Sequence, residues 1–157
     1  MIAQGLATKR LDPIRAMVLS NTAAKIATPA IWQDRIDSIR ATGIVPVSDT
    51  TMSRWFSPKM QASSAMSPLY NMMHATRPDG YIGCAHAISS TNFIAATPTL
   101  RLPVMGIAGD HDGSAPPDLV CETLNLIPGS TFYIIHGASR LPCVEQPKEF
   151  ARLLTSF

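Results

Sequence analysis

The side chains most suited to chemistry lie in two short polar segments, each of which follows an apolar run. Asp110, His111 and Asp112 follow "LPVMGIAG", and Arg140 follows "TFYIIHGAS". A carboxylate after one strand and a base after the next would form the second half of a nucleophile–acid–base relay, in which the carboxylate orients the base. The second segment instead offers an arginine, which stays protonated at any accessible pH and cannot act as a general base.

Other reactive residues near these segments do not supply the missing base. His136 lies four residues before Arg140, and a nearly extended segment of that length displaces it by roughly 10 Å. We interpret His136 as a satisfied or semi-buried histidine, and Asp110 and His111 as loop residues rather than metal ligands, since no third ligand has a recognisable spacing. No activating partner pattern accompanies the other nucleophilic side chains, so they are interpreted as structural: Ser139, Cys143 and Cys84.

The elements that would position these residues alternate between strands and helices. Apolar runs near residues 16–19, 102–109 and 131–137 read as strands, and amphipathic segments follow or precede them. This alternation favours a parallel α/β sheet with right-handed crossovers. In such sheets ligands bind beyond the carboxyl ends of the strands, where the segments 20–22, 109–112 and 137–142 would converge.

The region between the first and second strands has a different character. Residues 24–97 are rich in methionine and show helical spacing without convincing strands. Thr28 followed by Pro29 is typical of a helix start, and Gly43 of the corresponding end. We therefore predict a helical insertion between two parts of one α/β unit.

Composition excludes several classes of function. The 157 residues are 46% hydrophobic and 15% charged, which indicates a folded chain, and the net charge of +2 is scattered rather than clustered. Three widely spaced cysteines favour neither a disulfide framework nor a zinc motif, and they favour a cytoplasmic setting. We expect no nucleic-acid or membrane partner, no metal and no cofactor.

Three segments carry a resemblance to a known family. "RAMVLSNTAAKI", "IAGDHDGSAPP" and "GASRLPCVEQPKEF" are similar to the α/β-hydrolase superfamily, and within it to 3-oxoadipate enol-lactonase. The resemblance implies a partial α/β-hydrolase fold, made of its last parallel strands and helices. Residues 1–23 and 98–157 would be the C-terminal part of the core, and residues 24–97 a helical cap over the active site.

The resemblance also implies which catalytic positions are filled. Asp112 takes the acid position, although Asp-Gly is a turn signal and a purely turn-forming role stays open. Arg140 stands where the family carries its histidine. The family nucleophile sits in a Gly-x-Ser-x-Gly turn just before the helix that matches residues 1–7, and no such motif occurs in this sequence. We therefore expect a truncated chain that is inactive by itself.

Two further sets of roles follow from the resemblance. Arg140 would form a guanidinium–carboxylate pair with Asp112, with a bidentate geometry as one form; a solvated loop arginine or a pair with Glu145 are the alternatives. Trp32, Arg54 and Trp55 would line the substrate cleft, with Arg54 facing a substrate carboxylate; ordinary helix packing, or a solvated side chain for Arg54, is the alternative. Five methionines are further lining candidates, although helix packing explains each as well: Met52, Met60, Met66, Met72 and Met73.

The implied function is hydrolysis of small carboxylated lactones or esters. The substrate that the resemblance implies is 3-oxoadipate enol-lactone, from the β-ketoadipate pathway of bacterial aromatic catabolism, or a similar compound. The alternative is a non-catalytic binding or interaction protein that retains the cap pocket. We also expect the strand near residues 17–19 to present a free edge, through which the chain would self-associate or bind a separate N-terminal half.

Overall fold

Three parallel strands form one sheet in the computed structural model, which describes residues 1–10, 12 and 14–157. In spatial order they are β1 (Met17–Ser20), β2 (Val104–Gly109) and β3 (Thr131–Ile135). Leu19 pairs with Gly106, and Ala108 pairs with Ile134. The predicted parallel α/β sheet is confirmed, with β1 lying one residue later than its predicted position.

Helices account for most of the other described residues. Before β1 lies α1, and between β1 and β2 lie five α-helices and a 3-10 turn; one helix connects β2 to β3, and two follow β3. Their bounds are α1 (Ile2–Lys9), α2 (Pro29–Thr42), α3 (Val45–Trp55), α4 (Pro58–Gln61), α5 (Met66–His74), α6 (Pro78–Ser90), the turn Thr97–Thr99, α7 (Pro117–Asn125), α8 (Pro142–Glu145) and α9 (Pro147–Ser156).

Local signals account for several of these boundaries. Thr28 Oγ1 accepts the backbone N–H of Ile31 at 3.4 Å, and Gly43, with φ at 79°, ends α2 as predicted. The sequence from Glu145 to Phe157 is amphipathic and predicts a closing helix; α9 fills most of it, and the short α8 precedes it. The break falls at Gln146, immediately before Pro147, whose ring removes a backbone donor.

Strand β2 forms the centre of the α/β unit because all six of its residues are buried. Val104 and Ala108 face one apolar cluster, which includes Leu124 of α7. Met105 and Ile107 face a second cluster on the other side of the sheet, which includes a leucine of α9. Helices therefore cover both faces, which is the reason that the strand reads as a continuous apolar run.

A third apolar cluster joins the helices between β1 and β2. Met52, Met66 and Met73 are buried in it, and Met60 packs partly buried against it. Met72 lies outside, with 62% of its surface exposed. Of the two interpretations left open for these methionines, helix packing therefore holds for the four that pack in this cluster.

The outer edge of β1 is unpaired within the part of the chain that the structure describes. Its hydrogen-bonded neighbour there is β2 alone. On the adjoining α1, Ile2 is 91% exposed and Leu6 is 48% exposed. None of the described helices has both the length and the apolar character needed to span a bilayer.

Candidate functional site

The carboxylate of Asp112 lies beyond the end of β2 and is completely shielded from solvent. Its Oδ1 accepts the backbone N–H groups of Ser114 at 2.7 Å and Ala115 at 3.1 Å. Its Oδ2 accepts the side-chain amide of Asn21 at 3.0 Å. Asp112 therefore shapes the turn, and the same bonds hold one carboxylate oxygen toward the other loops.

Asn21 connects all three strand ends. Its backbone follows β1 in a left-handed conformation, with φ at 49°, which asparagine tolerates better than most residues. Its Nδ2 donates to Asp112 Oδ2 and, at 3.2 Å, to the carbonyl oxygen of Ser139. Ser20 Oγ donates to Asn21 Oδ1 at 3.0 Å. Sequence reasoning marked the segment but not this residue; an asparagine directly after a buried strand was the available signal.

Arg140 reaches Asp112 through one nitrogen. Its Nη1 lies 3.5 Å from Asp112 Oδ2 and 3.3 Å from the carbonyl oxygen of Asn21. Strong charge-assisted bonds are shorter, and a bidentate pair would need two such contacts. The predicted contact is present in its weaker, single form. The side chain is 24% exposed, so it is not a solvated loop arginine.

Glu145 fastens the Arg140 loop rather than pairing with Arg140. Its Oε1 accepts the backbone N–H of Ser57 at 2.7 Å, and its Oε2 accepts that of Ser139 at 2.6 Å. The backbone N–H of Arg140 itself donates to the carbonyl of Trp55 at 3.1 Å. The loop after β3 is thereby tied to the end of α3, and the alternative pair between Arg140 and Glu145 does not form.

The loops after β2 and β3 also touch directly. Ser139 Oγ donates to the carbonyl oxygens of His111 at 2.9 Å and Arg54 at 3.1 Å, which is a structural use of this buried hydroxyl. A Cβ atom on Gly109 would collide with the backbone oxygens of Ala138 and Ser139. Glycine at the end of β2 therefore permits the approach that places Arg140 beside Asp112.

His136 lies away from this cluster. Its Nδ1 is 3.0 Å from Asp110 Oδ2, and its side chain is 84% exposed. Of the two forms of the prediction, a satisfied or a semi-buried histidine, the first holds: the ring has a partner in Asp110 although the side chain is exposed. His111 Nε2 is 3.7 Å from the other oxygen of Asp110. In the described ranges these side chains do not form a group of three metal-ligating residues.

A cavity of about 420 Å³ opens between the Arg140 loop and the helices that follow β1. Trp32, Arg54 and Trp55, the three predicted substrate-binding residues, all line it, and so does Arg140. Trp32 Nε1 donates to the carbonyl of Ile26 at 2.8 Å, which fixes its ring. The structure thus brings the predicted binding residues to the same cavity as Arg140.

One lining residue was missed by sequence reasoning. Arg35 also faces the cavity, and its guanidinium carbon lies 5.9 Å from the centre of the Trp32 ring. This distance is typical of a cation–π contact. Trp32 and Arg35 are three residues apart on α2, a spacing that places side chains on one helix face and was the available signal.

A second cavity, of about 630 Å³, shares four lining residues with the first: Ile26, Cys84, Ile88 and Arg140. Its remaining lining comes largely from α1 and the end of α6, with Thr22 and Phe93. Apolar atoms dominate its walls. Arg140 therefore stands at the junction of a cationic cleft and an apolar groove.

The chain is similar in sequence to known proteins over most of its length. No protein-family profile matches the chain. It is 29% identical over 155 residues to 3-oxoadipate enol-lactonase 2 of Acinetobacter baylyi, covering 96% of this chain and 57% of that protein. It is 25% identical to enol-lactonase 1 of the same organism, covering 90% of this chain and 54% of that protein.

Solved structures that superpose closely on the chain include an enol-lactonase and another hydrolase. The enol-lactonase from Burkholderia xenovorans LB400 superposes with a TM-score of 0.89 at 25% identity, covering 98% of this chain and 59% of that one. A hydrolase from Pseudomonas aeruginosa PA01 gives 0.90 at 26% identity, covering 99% and 59%. The chain spans little more than half the length of these relatives. The predicted partial α/β-hydrolase fold and the resemblance to the C-terminal part of enol-lactonases are confirmed.

Proposed function

We propose that the chain carries the acid-and-base half of an ester- or lactone-hydrolase site in which the base has been replaced by Arg140. The relatives support a hydrolase of esters or lactones. We take the specific ancestral substrate to be 3-oxoadipate enol-lactone, as the names of the curated relatives suggest. In this proposal Asp112 holds the acid position, Arg140 the position of the histidine, and residues 24–97 form a helical cap on the core made by residues 1–23 and 98–157.

The single observation that supports this most strongly is the contact between Arg140 and Asp112. An orienting carboxylate should be buried, held by several donors, and in contact with the group at the base position. Asp112 meets the first two conditions through Asn21, Ser114 and Ala115. Its fourth neighbour is a guanidinium at 3.5 Å, which has no proton-accepting nitrogen.

From the same observation we expect the chain to be inactive as a serine hydrolase. Loss of the base alone costs about as much rate as loss of the whole triad, because its members act as a unit. The expected inactivity therefore holds whether or not a nucleophile is supplied from elsewhere.

A cytoplasmic location stays a prediction from the three cysteines, all of which are free.

Assays of the 157-residue chain with p-nitrophenyl acetate and 3-oxoadipate enol-lactone test this conclusion. We expect hydrolysis of both at the rate of the buffer alone, because the described side chains that contact Asp112, those of Asn21 and Arg140, cannot take a proton from a nucleophile. The Asp112→Asn variant is the control. Turnover by the unmodified chain that the Asp112→Asn substitution abolishes would contradict the proposal.

The second candidate function is binding without catalysis. The observation that favours it is the 420 Å³ cavity, whose volume falls in the range of small-ligand sites. Trp32 and Trp55 give it apolar walls, and Arg54 and Arg140 give it charged groups. Binding of a ligand by these residues does not depend on a nucleophile. The cavity can therefore bind a ligand even if hydrolysis is lost.

We also propose that the free edge of β1 pairs with a second chain or with a separate N-terminal half. Ile2 and Leu6 on α1 would lie in that interface. In analytical ultracentrifugation we expect the 157-residue chain to associate at tens of micromolar and the Ile2→Lys variant to shift toward monomer, because a buried charge opposes association. Met72→Lys, at another exposed position, is the matched control. A strictly monomeric chain with a cooperative melt would contradict the proposal.

A further inference from the structure

The charge of the 420 Å³ cavity is one-sided. Among the described residues three arginines line it, Arg35, Arg54 and Arg140, and no acidic residue does. Each guanidinium stays charged at any accessible pH. We infer that this cavity binds a small, flat organic dianion, of the class of aryl dicarboxylates, with Arg140 and Arg35 as anion-binding groups. The inference rests on the binding function proposed above and adds its ligand class.

The three cations are largely uncompensated. Asp112 offsets part of the charge of Arg140 through one contact at 3.5 Å. Within the described residues, Arg35 and Arg54 form no ion pair with a carboxylate. Arg54 Nε donates to the carbonyl of Thr50 at 3.3 Å, a bond that leaves its two terminal nitrogens available. Like charges that share a half-buried cavity repel each other, and an anion between them relieves that repulsion.

The position of the arginines points to two carboxylates rather than one. Arg35 is carried by α2, Arg54 by α3, and Arg140 by the loop after β3, so the charges enter the cavity from three separate elements. A planar guanidinium matches a carboxylate with two parallel hydrogen bonds. Arg140 makes no such bidentate contact with Asp112, so most of its donors remain free for a ligand.

The walls of the cavity specify the body of the ligand. Trp32, Trp55 and Tyr81 contribute aromatic surfaces, and Ile31 and Ile88 contribute aliphatic ones. Aromatic side chains favour stacked or edge-on contact with flat rings. A single-ring molecule with two acidic groups fits both this lining and the 420 Å³ volume.

The replacement of a base by Arg140 agrees with this ligand class. A neutral imidazole at this position suits an uncharged ester, whereas a permanent guanidinium favours a free carboxylate. The expected ligand is therefore an acid and not its ester. Compounds that share one carbon skeleton but differ in the number of free carboxylates distinguish binding of the acid from binding of the ester.

Calorimetric titration of the 157-residue chain at low salt with phthalate, monomethyl phthalate and dimethyl phthalate tests the inference. We expect phthalate to bind most tightly, with a Kd at least about tenfold below that of the dimethyl ester, and the monoester to lie between them. Arg140→Gln and Arg35→Gln should each weaken phthalate binding about tenfold and leave dimethyl phthalate unchanged. Arg77→Gln, which removes the same charge outside the cavity, should alter neither.

The outcomes distinguish the two proposals. Equal affinity for the three compounds would overturn the anion inference and leave the binding function standing. Failure of all three to bind would overturn both. The guanidinium of Arg35 forms no ion pair within the described residues and contacts the Trp32 ring, so Arg35→Gln decides the matter if Arg140→Gln proves unstable. Unchanged phthalate binding in Arg35→Gln would then overturn the assignment.

Discussion

The Arg140→His variant, joined to the serine-bearing N-terminal part of an enol-lactonase, is expected to hydrolyse 3-oxoadipate enol-lactone at least about a thousandfold faster than the same chimera with Arg140. The substitution supplies a proton acceptor where the loop after β3 meets Asp112. The carboxylate that would orient the imidazole is already buried and held by Asn21, Ser114 and Ala115. A single residue would then separate the chain from a working acid–base pair.

The position of the loop is the reason that one substitution should suffice. Arg140 is tied by its own backbone to Trp55, and Ser139 is tied to Glu145 and to the carbonyl of His111. None of these bonds involves the side chain at position 140. The backbone therefore stays in place when the guanidinium is removed.

Controls separate this explanation from a general effect on folding. The chimera with Arg140→Gln removes the charge without supplying a base and should stay inactive. Adding His136→Gln to the Arg140→His chimera should leave the restored rate unchanged, because His136 pairs with Asp110 at an exposed site. Equal rates in the Arg140, Arg140→Gln and Arg140→His chimeras, all with cooperative melts, would contradict the assignment of position 140.

The second large effect is expected from Asp112→Ala, which should lower the free energy of unfolding by about 3–5 kcal/mol. The side chain of Asp112 is fully buried and accepts two backbone N–H groups and the amide of Asn21. Its removal leaves these three donors without partners, which costs about 1–3 kcal/mol for each buried group, and this loss dominates over that of the single long contact with Arg140. Urea denaturation followed by circular dichroism measures the change.

Asp110→Ala is the matched control for Asp112→Ala. Asp110 lies in the same loop and accepts the backbone N–H of Gly137 at 2.9 Å, but its side chain is partly exposed. We expect a cost of about 1 kcal/mol, since water replaces part of what is lost. Equal costs for the two variants would show that Asp112 is an ordinary turn residue.

A double-mutant cycle of Asp112→Ala with Arg140→Ala should give a coupling energy under about 1 kcal/mol, as a single 3.5 Å contact implies.

Several elements were predictable from the sequence because their signals are local. The continuous apolar run of β2 indicated burial on both faces, and both faces are covered. Thr28, Pro29 and Gly43 marked the limits of α2, because caps act through bonds within one turn. For the methionines the choice between a cleft lining and helix packing stayed open in the sequence, and the structure places four of them in a helix-packing cluster. Periodicity identifies the apolar face of a helix but does not say whether that face meets a neighbouring helix or a cavity.

The sequence by itself determined that position 140 carries no base, because the permanent charge of arginine is a property of the residue type. It also determined the order of strands and helices, which follows from local patterns of apolar residues. The tertiary structure alone decided that Asn21, 91 residues before Asp112 and 118 before Ser139, joins the three strand ends. It also decided that Arg35 shares a cavity with Arg140. Such contacts depend on how distant segments pack, so local signals can mark these residues but cannot identify their partners.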